Sequence, residues 1–288
     1  MMSMEQLARR SQATFETFVG MIYFVPEGPA RYAPLGLDKR QYYFCSRASA
    51  MGAVSGAVVA ATFYNFNPQV VIPLVDNGWK ITTPTAVGHE RTLAVGEALQ
   101  RLLAPAEGEA DVRKNIEPAL ALVKRATANL LPDGRNLFAA YNAQEWPTEP
   151  TTALWWGLNL LREFRGDGHL AALLVENVSG LESLLLQAAY KPLLPLGLLI
   201  KSRAWEPAAV EAAQARLAER DVLKDGALTT AGQELRERIE QLTDQMDTAP
   251  FQNLGEADTQ KLLDLVQPLT HTITAHGGIP GRPAPAKS

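Results

Sequence analysis

Apolar residues recur at spacings of three and four through much of this chain, which is the spacing of amphipathic helices. Residues 4–24 carry Leu7, Phe15, Phe18 and Ile22 on one face. A Pro- and Gly-rich loop follows from Pro26 to Pro34, and then a short core-facing helix around Tyr42–Ala48. The densest run of apolar, aromatic and charged residues is Thr151 to Tyr190. Within it, hydroxyl residues at Thr151 and Thr152 mark a helix start, and Leu154, Leu158, Leu161 and Arg165 share a face. Gly166 is expected to end that helix, because a left-handed residue costs glycine nothing. Asp167 is then placed to cap a second short helix, His169 to Glu176, and Ser179 a third that runs to Tyr190.

Two stretches repeat one another. Val54-Ser-Gly56 stands twelve residues before Pro68, and Val178-Ser-Gly180 twelve before Pro192. Each is followed by an apolar helix, a turn with a tryptophan (Trp79, Trp205), a proline (Pro84, Pro207) and a further helix. This predicts two copies of one helical module, 50–104 and 174–220. The second copy is the clearer. It has a short helix Pro195–Ser202, a helix Glu206–Arg220, and a hairpin over 222–229 that turns at Asp225-Gly226. Thr229 or Thr230 then caps a helix with Leu235, Ile239, Leu242 and Met246 along one seam. Helix, helix, hairpin, helix is the order of a winged helix-turn-helix.

The first copy has no wing. Its last helix runs on from Pro84 through Arg91, Leu99 and Leu103, and Glu107-Gly-Glu reads as a loop. Asp111 to Leu131 is expected to be one long helix, with Val112, Ile116, Leu120, Val123 and Leu130 available to pair with the 229–247 helix. Pro132-Asp-Gly134 reads as a turn, 137–144 as a short helix and Trp146–Pro150 as a linker. The expected division is an N-terminal half 1–146, a C-terminal winged half 147–270 and a disordered tail 271–288. His271 and His276 would be solvated.

Leu228-Thr-Thr-Ala-Gly232, its helix and the following Leu254–Val266 resemble the C-terminal half of MarR-type winged-helix regulators. Together with Phe63-Tyr-Asn-Phe-Asn-Pro68 and Arg165-Gly-Asp-Gly-His169, they resemble an actinobacterial helix-turn-helix family. The resemblance implies a mainly α fold: tandem winged-helix-like modules in a pseudo-dimeric, MarR-like body with a small β-hairpin wing. It carries no activity or catalytic residue.

Composition narrows the setting. The chain has 288 residues, 47% of them apolar, and a net charge of −4. A sequence pI near 5.7 gives no global basic excess for DNA phosphates. Cys45 is the lone cysteine, which excludes an intramolecular disulfide and a cysteine-rich zinc site. The N-terminus lacks a signal-like apolar core, and the apolar runs are too short or interrupted to span a bilayer. The expected setting is cytoplasmic.

Candidate chemistry gathers in the Arg165–His169 segment. If its helices turn tightly there, Arg162, Arg165, Asp167 and His169 meet, with Trp155 as a wall and Arg203 and Trp205 within reach. Guanidinium forks suit an anionic ligand and aromatic walls a flat one. The plainer alternative is a helix corner with a cap and an ion pair. Asp167 and His169 are too few for a metal, and no cofactor fingerprint is present. As a DNA surface, the 206–220 helix offers Gln214, Arg216 and Arg220, and the wing offers Lys224. Glu206, Glu211 and Glu219 oppose phosphate contact. A ligand-binding sensor with weak or no DNA binding is therefore the first expectation. A DNA-binding regulator is second. An enzyme using His169 as acid or base, with Arg162 and Arg165 on an anionic substrate, is third. The chain could act as a monomeric pseudo-dimer or as a homodimer.

Overall fold

A computed structural model describes residues 2–105, 110–190 and 195–279. Helices dominate. They are α1 (Met4–Gly20), α2 (Glu27–Tyr32), α3 (Lys39–Ala48), α4 (Gly56–Phe63), α5 (Pro68–Ile81), α6 (Pro84–Leu102), α7 (Ile116–Ala126) and α8 (Asn136–Asn142). After these come α9 (Pro150–Val175), α10 (Gly180–Tyr190), α11 (Leu196–Ser202), α12 (Pro207–Glu219), α13 (Thr230–Met246) and α14 (Ala249–Ala275). The one sheet among the described residues is a hairpin, β1 (Leu223–Lys224) and β2 (Ala227–Leu228), between α12 and α13. No single described helix is long and apolar enough to cross a membrane.

Local chemistry sets many boundaries. Ser3 and Gln6 close a capping box on α1, and Asp38 and Gln41 close one on α3. The Thr83 hydroxyl caps α6, with Pro84 in its first turn. Asp225 and Gly226 both take positive φ, 51° and 79°, as the two central positions of a tight hairpin turn require. Leu223 pairs with Leu228 across that hairpin.

Two main hydrophobic clusters and a minor third one, Tyr32, Leu37, Cys45 and Val87, form the interior. The larger draws on α1, α3 to α8, the first four turns of α9, and α14. The smaller joins the end of α9 (Ala172, Leu173) to α10, α12, the hairpin and α13. Helix α9 runs through both, and apolar residues around its whole circumference are buried.

Several expectations need correction. Gly166 does not end a helix, because α9 continues unbroken through it and Gly168 to Val175. A glycine inside a helix costs roughly 0.5–1 kcal/mol relative to alanine. Packing on both sides outweighs that cost, and Gly168 makes room for a crossing arginine. A Cβ there would lie 3.1 Å from Arg135 Nη1. Nor does Asp167 cap a new helix after it. Helix α9 begins at Pro150, and its cap is the Glu149 carboxylate, which accepts from the N–H groups of Thr151 and Thr152.

The expected 111–131 helix is a single 3₁₀ turn plus α7, which stops at Ala126. Asn253 Nδ2 donates to Ala126 O at 3.1 Å and Ala128 O at 2.9 Å, so a side chain from α14 satisfies the carbonyls at this end. Helix α7 packs on α9 and α14 rather than on α13.

The pattern does not fade at Pro268 either. Helix α14 bends at Gly255 (φ 75°) and runs to Ala275, with Leu269 and Ile273 buried. It lies across α1 and α7 and so returns the chain to the N-terminal body. His276 is not solvated, since its Nδ1 lies 2.7 Å from Leu102 O. Residues 106–109, 191–194 and 280–288 lie outside the described residues; the expected Glu107–Glu109 loop, Pro192 and half of the expected 271–288 tail fall there.

The two stretches expected to repeat one another, the first and second modules, hold α4–α5–α6 and α10–α11–α12. Their tryptophans differ in what they hold. Trp79 Nε1 donates to Val54 O within its own module at 3.0 Å, whereas Trp205 Nε1 reaches Asn65 O of the other at 2.9 Å.

Candidate functional site

The segment Phe63–Pro68 joins α4 to α5 and is wedged against the second module. Tyr64 takes φ 47° and ψ −55°, and Asn65 N donates to Phe63 O at 2.6 Å. That is a γ-turn of the rare, strained hand. Contacts to the second module hold it. Tyr64 Oη donates to Val178 O at 2.6 Å, and Asn67 Nδ2 to Ala204 O at 2.8 Å. Gly180 is required here, because a Cβ would lie 1.8 Å from Tyr64 O. Arg203 stacks its guanidinium 4.5 Å from the Phe66 ring centroid. Arg203 and Trp205 therefore serve to hold this loop.

A cavity of about 170 Å³ lies between this loop, the Glu163–Leu173 face of α9 and Ser183 of α10. Arg47 of α3 and Leu137 of α8 complete its wall. Arg47 Nη2 donates to Glu163 Oε2 at 3.0 Å, and Glu163 also accepts from Arg162 Nη1 at 2.7 Å. Burial would raise the Glu163 carboxyl, but Arg47 and Arg162 outweigh burial and hold it below the ordinary range.

Asp167 behaves in the opposite way. Burial pushes its carboxyl up to about 6, although Oδ2 accepts from Phe138 N at 2.9 Å and Leu137 N at 3.1 Å. It caps α8, the helix lying across α9, rather than a helix of its own segment. His169 sits one turn from Gly166 on the same wall, with Nδ1 3.0 Å from Thr243 Oγ1 of α13. Burial lowers the imidazole to about 4 and keeps it neutral.

Of the seven residues expected to bind a ligand, Asp167 and His169 line this cavity. Trp155 is no wall. It is fully buried in the larger cluster, and its Nε1 donates to Val19 O at 3.1 Å. Arg162 reaches Glu16 at 2.7 Å as well as Glu163. Arg165 bridges α9 to α13 and the turn after it, with Asp244 at 2.8 Å and Glu240 and Asp247 each at 3.3 Å. Both guanidiniums are engaged by carboxylates and offer no free fork to an anion.

Arg47, Thr62, Tyr64, Asn65, Glu163 and Ser183 were missed. A signal existed for three of them in the Tyr64-Asn65 dipeptide and the buried Glu163 beside two arginines. No three His, Cys, Asp or Glu side chains among the described residues converge to hold a metal.

On the other face, α12 and the hairpin stand where a reading helix and wing would. Gln214 is half-buried and Lys224 exposed. Arg216 Nε donates to Glu182 at 2.8 Å. Arg220 donates to Asn177 O at 2.7 Å and Glu176 O at 3.0 Å, closing the end of α9. The two arginines of the set read from the sequence are exposed but paired with protein groups.

Helix, short helix, helix and hairpin define a helix-turn-helix protein. The chain matches a helix-turn-helix family over residues 8–280 and belongs to it. No curated protein and no solved structure matches the chain.

Proposed function

We propose that this helix-turn-helix protein is a cytoplasmic ligand-binding sensor of MarR-like build, with weak or no DNA binding. One observation carries the reading. Two segments a hundred residues apart in sequence, Tyr64-Asn65 and Gly166–His169, line a single cavity of mixed polar and apolar wall where the larger and smaller hydrophobic clusters meet. An occupant there touches both bodies. His169 passes the contact to Thr243 of α13, the helix that leads out of the wing. A ligand that favours one arrangement of the bodies would thus bias the position of the wing. In this reading the two modules are tandem winged-helix copies about a pseudo-twofold axis, and the chain works as one pseudo-dimer. The division into halves near 146 belongs to the same reading, with α14 returning to brace the first half.

The family match favours a second reading, a transcription regulator that docks α12 and the wing on DNA. The enzyme reading is weaker. Arg162 and Arg165 already hold carboxylates, and an imidazole lowered to about 4 is a poor proton relay near neutral pH.

The test uses fractions of a small-molecule cell extract and the melting temperature of the full chain. At a hundred times Kd a ligand adds about 2.7 kcal/mol. For a chain of this size that amounts to a rise of roughly 5–10 °C. One or more fractions should raise wild type and leave Ser183→Phe, which fills the cavity, unmoved. If no fraction acts, and the chain instead binds duplex DNA with a log–log salt slope steeper than about −4, the regulator reading replaces this one.

A further inference from the structure

The polar groups around the cavity are not evenly divided between donors and acceptors. The Thr62 hydroxyl donates to Val58 O at 2.9 Å, that of Tyr64 to Val178 O at 2.6 Å and that of Ser183 to Gly180 O at 2.8 Å. A hydroxyl has one proton, so each can offer only lone pairs to a ligand. His169 reaches the same condition by a longer route. Thr243 spends its proton on Ile239 O at 2.7 Å, so its Oγ1 accepts from His169 Nδ1. The neutral ring is left with Nε2 as a bare acceptor.

Asp167 commits Oδ2 to two backbone N–H groups and has Oδ1 to spare. Asn65 Oδ1 is buried without a hydrogen-bond partner. The buried donor without a partner at this cavity is Arg47 Nε. In charge, the Glu163 carboxylate is already held by Arg47 and Arg162, and Arg135 offsets Asp167, so net charge favours neither sign. The surplus of acceptors over donors is what suits an ammonium group rather than the anion that the arginines suggested from sequence.

Size narrows the ligand. A 170 Å³ space is close to a cavity of ~150 Å³ that takes benzene, so it holds up to about seven non-hydrogen atoms. An orphaned buried acceptor weakens the empty protein unless something pairs with it. The strained turn at Tyr64 holds Asn65 in its place.

We propose that the cavity binds a small primary ammonium compound that also carries an oxygen acceptor, the size of an amino alcohol or a short amino acid. Its N–H groups meet Asn65 Oδ1, Asp167 Oδ1 and His169 Nε2, and its oxygen meets Arg47 Nε. This rests on the sensor reading and deepens it.

Calorimetric titration of the full chain tests the proposal with two matched pairs, ethanolamine against ethylene glycol and L-serine against glycerate. The ammonium member of a pair should bind at one per chain, at least tenfold more tightly than its partner. Asn65→Ala should weaken that binding by about 10–100-fold, the worth of a hydrogen bond to a charged group. It should not lower the melting temperature of the empty protein, since it removes an unpaired acceptor. Asn65→Asp keeps an acceptor and adds charge, so it should tighten ethanolamine and leave ethylene glycol unchanged. This variant reads the same interaction should Asn65→Ala fold poorly. Glycerate binding as well as serine, and weakened by Asn65→Ala, would overturn the ammonium assignment while leaving the cavity as the ligand site. No binding by any probe would overturn it too, with water satisfying Asn65. The extract experiment then decides separately whether the sensor reading survives.

Discussion

Replacing His169 by glutamine should reverse its effect on stability between neutral and acid pH. The imidazole lies against α13, its Nδ1 on Thr243 Oγ1, and burial lowers it from 6.5 to about 4. The sign follows from linkage. A group whose folded value is depressed stabilises the protein above its unfolded value. That contribution is lost as pH falls through the window between 6.5 and 4, because the unfolded chain takes up a proton that the folded one refuses. At pH 7.5 almost nothing is lost. At pH 5 the loss approaches 1.5 pH units at 1.36 kcal/mol each, about 2 kcal/mol as a ceiling. Glutamine has no proton to gain, so the variant escapes the penalty while keeping an amide donor for Thr243. Urea denaturation of both proteins at pH 7.5 and 5.0 measures this. The free-energy difference, variant minus wild type, should move in the variant's favour by about 1–2 kcal/mol on acidification. A difference that stays flat to within about 0.5 kcal/mol would refute a neutral, buried His169.

Asp167 titrates with the opposite sign, its raised value of about 6 meaning that stability is lost as pH climbs from 3.8 through 6. Asp167→Asn, which keeps an oxygen for the N–H groups of Leu137 and Phe138, should therefore gain about 1 kcal/mol on wild type between pH 5 and 7.5 by the same denaturation assay. Glu163→Gln leaves the buried Arg47 guanidinium without its carboxylate and should cost about 3 kcal/mol, read as a lower urea midpoint at unchanged slope. Gly180→Ala must displace the Tyr64 carbonyl and should destabilise by about 1–3 kcal/mol, whereas Gly197→Ala, with open space around its Cβ, should be neutral or stabilising by up to about 1 kcal/mol. Arg216→Ala and Arg220→Ala together should change the salt slope of any DNA binding by less than about one unit, because both side chains are held by protein groups.

What the sequence made legible was short-ranged. Asp225-Gly226 announced the wing, Thr229 announced α13, and the 235–246 seam announced the face that α13 buries, because each signal and its consequence lie within a few turns. What it hid depended on distant partners. Gly166 and Gly168 looked like a corner, and only Arg135, Met246 and the two flanking bodies show why a helix runs through them. Arg162 and Arg165 looked like anion forks. Glu163 is next to Arg162, but their other carboxylates, Glu16, Asp244 and Asp247, lie far away along the chain. Pro268 looked like an end, and α1 and α7 give the helix beyond it a surface to bury. For the site, Asp167 and His169 stood out by residue type. Tyr64 and Asn65 were visible only as part of the Phe63–Pro68 motif, since their part in the site comes from a positive φ and a cross-module contact.

The most direct measurement is thiol labelling at the cavity. Cys45 is buried, and its thiol is pushed up to about 12, so it contributes almost no background. Ser183→Cys places one reactive thiol in the wall. It would be treated with methanethiosulfonates bearing either an ethylammonium or an ethylsulfonate group, with Lys224→Cys on the exposed wing as reference. The thiol introduced at position 183 should form a disulfide with the cationic reagent at a rate within about two orders of magnitude of the wing site, and with the anionic one at least tenfold more slowly. Ligands that raise the melting temperature should protect this position and not the wing. A thiol at 183 that neither reagent reaches would contradict the claim that this cavity admits a ligand.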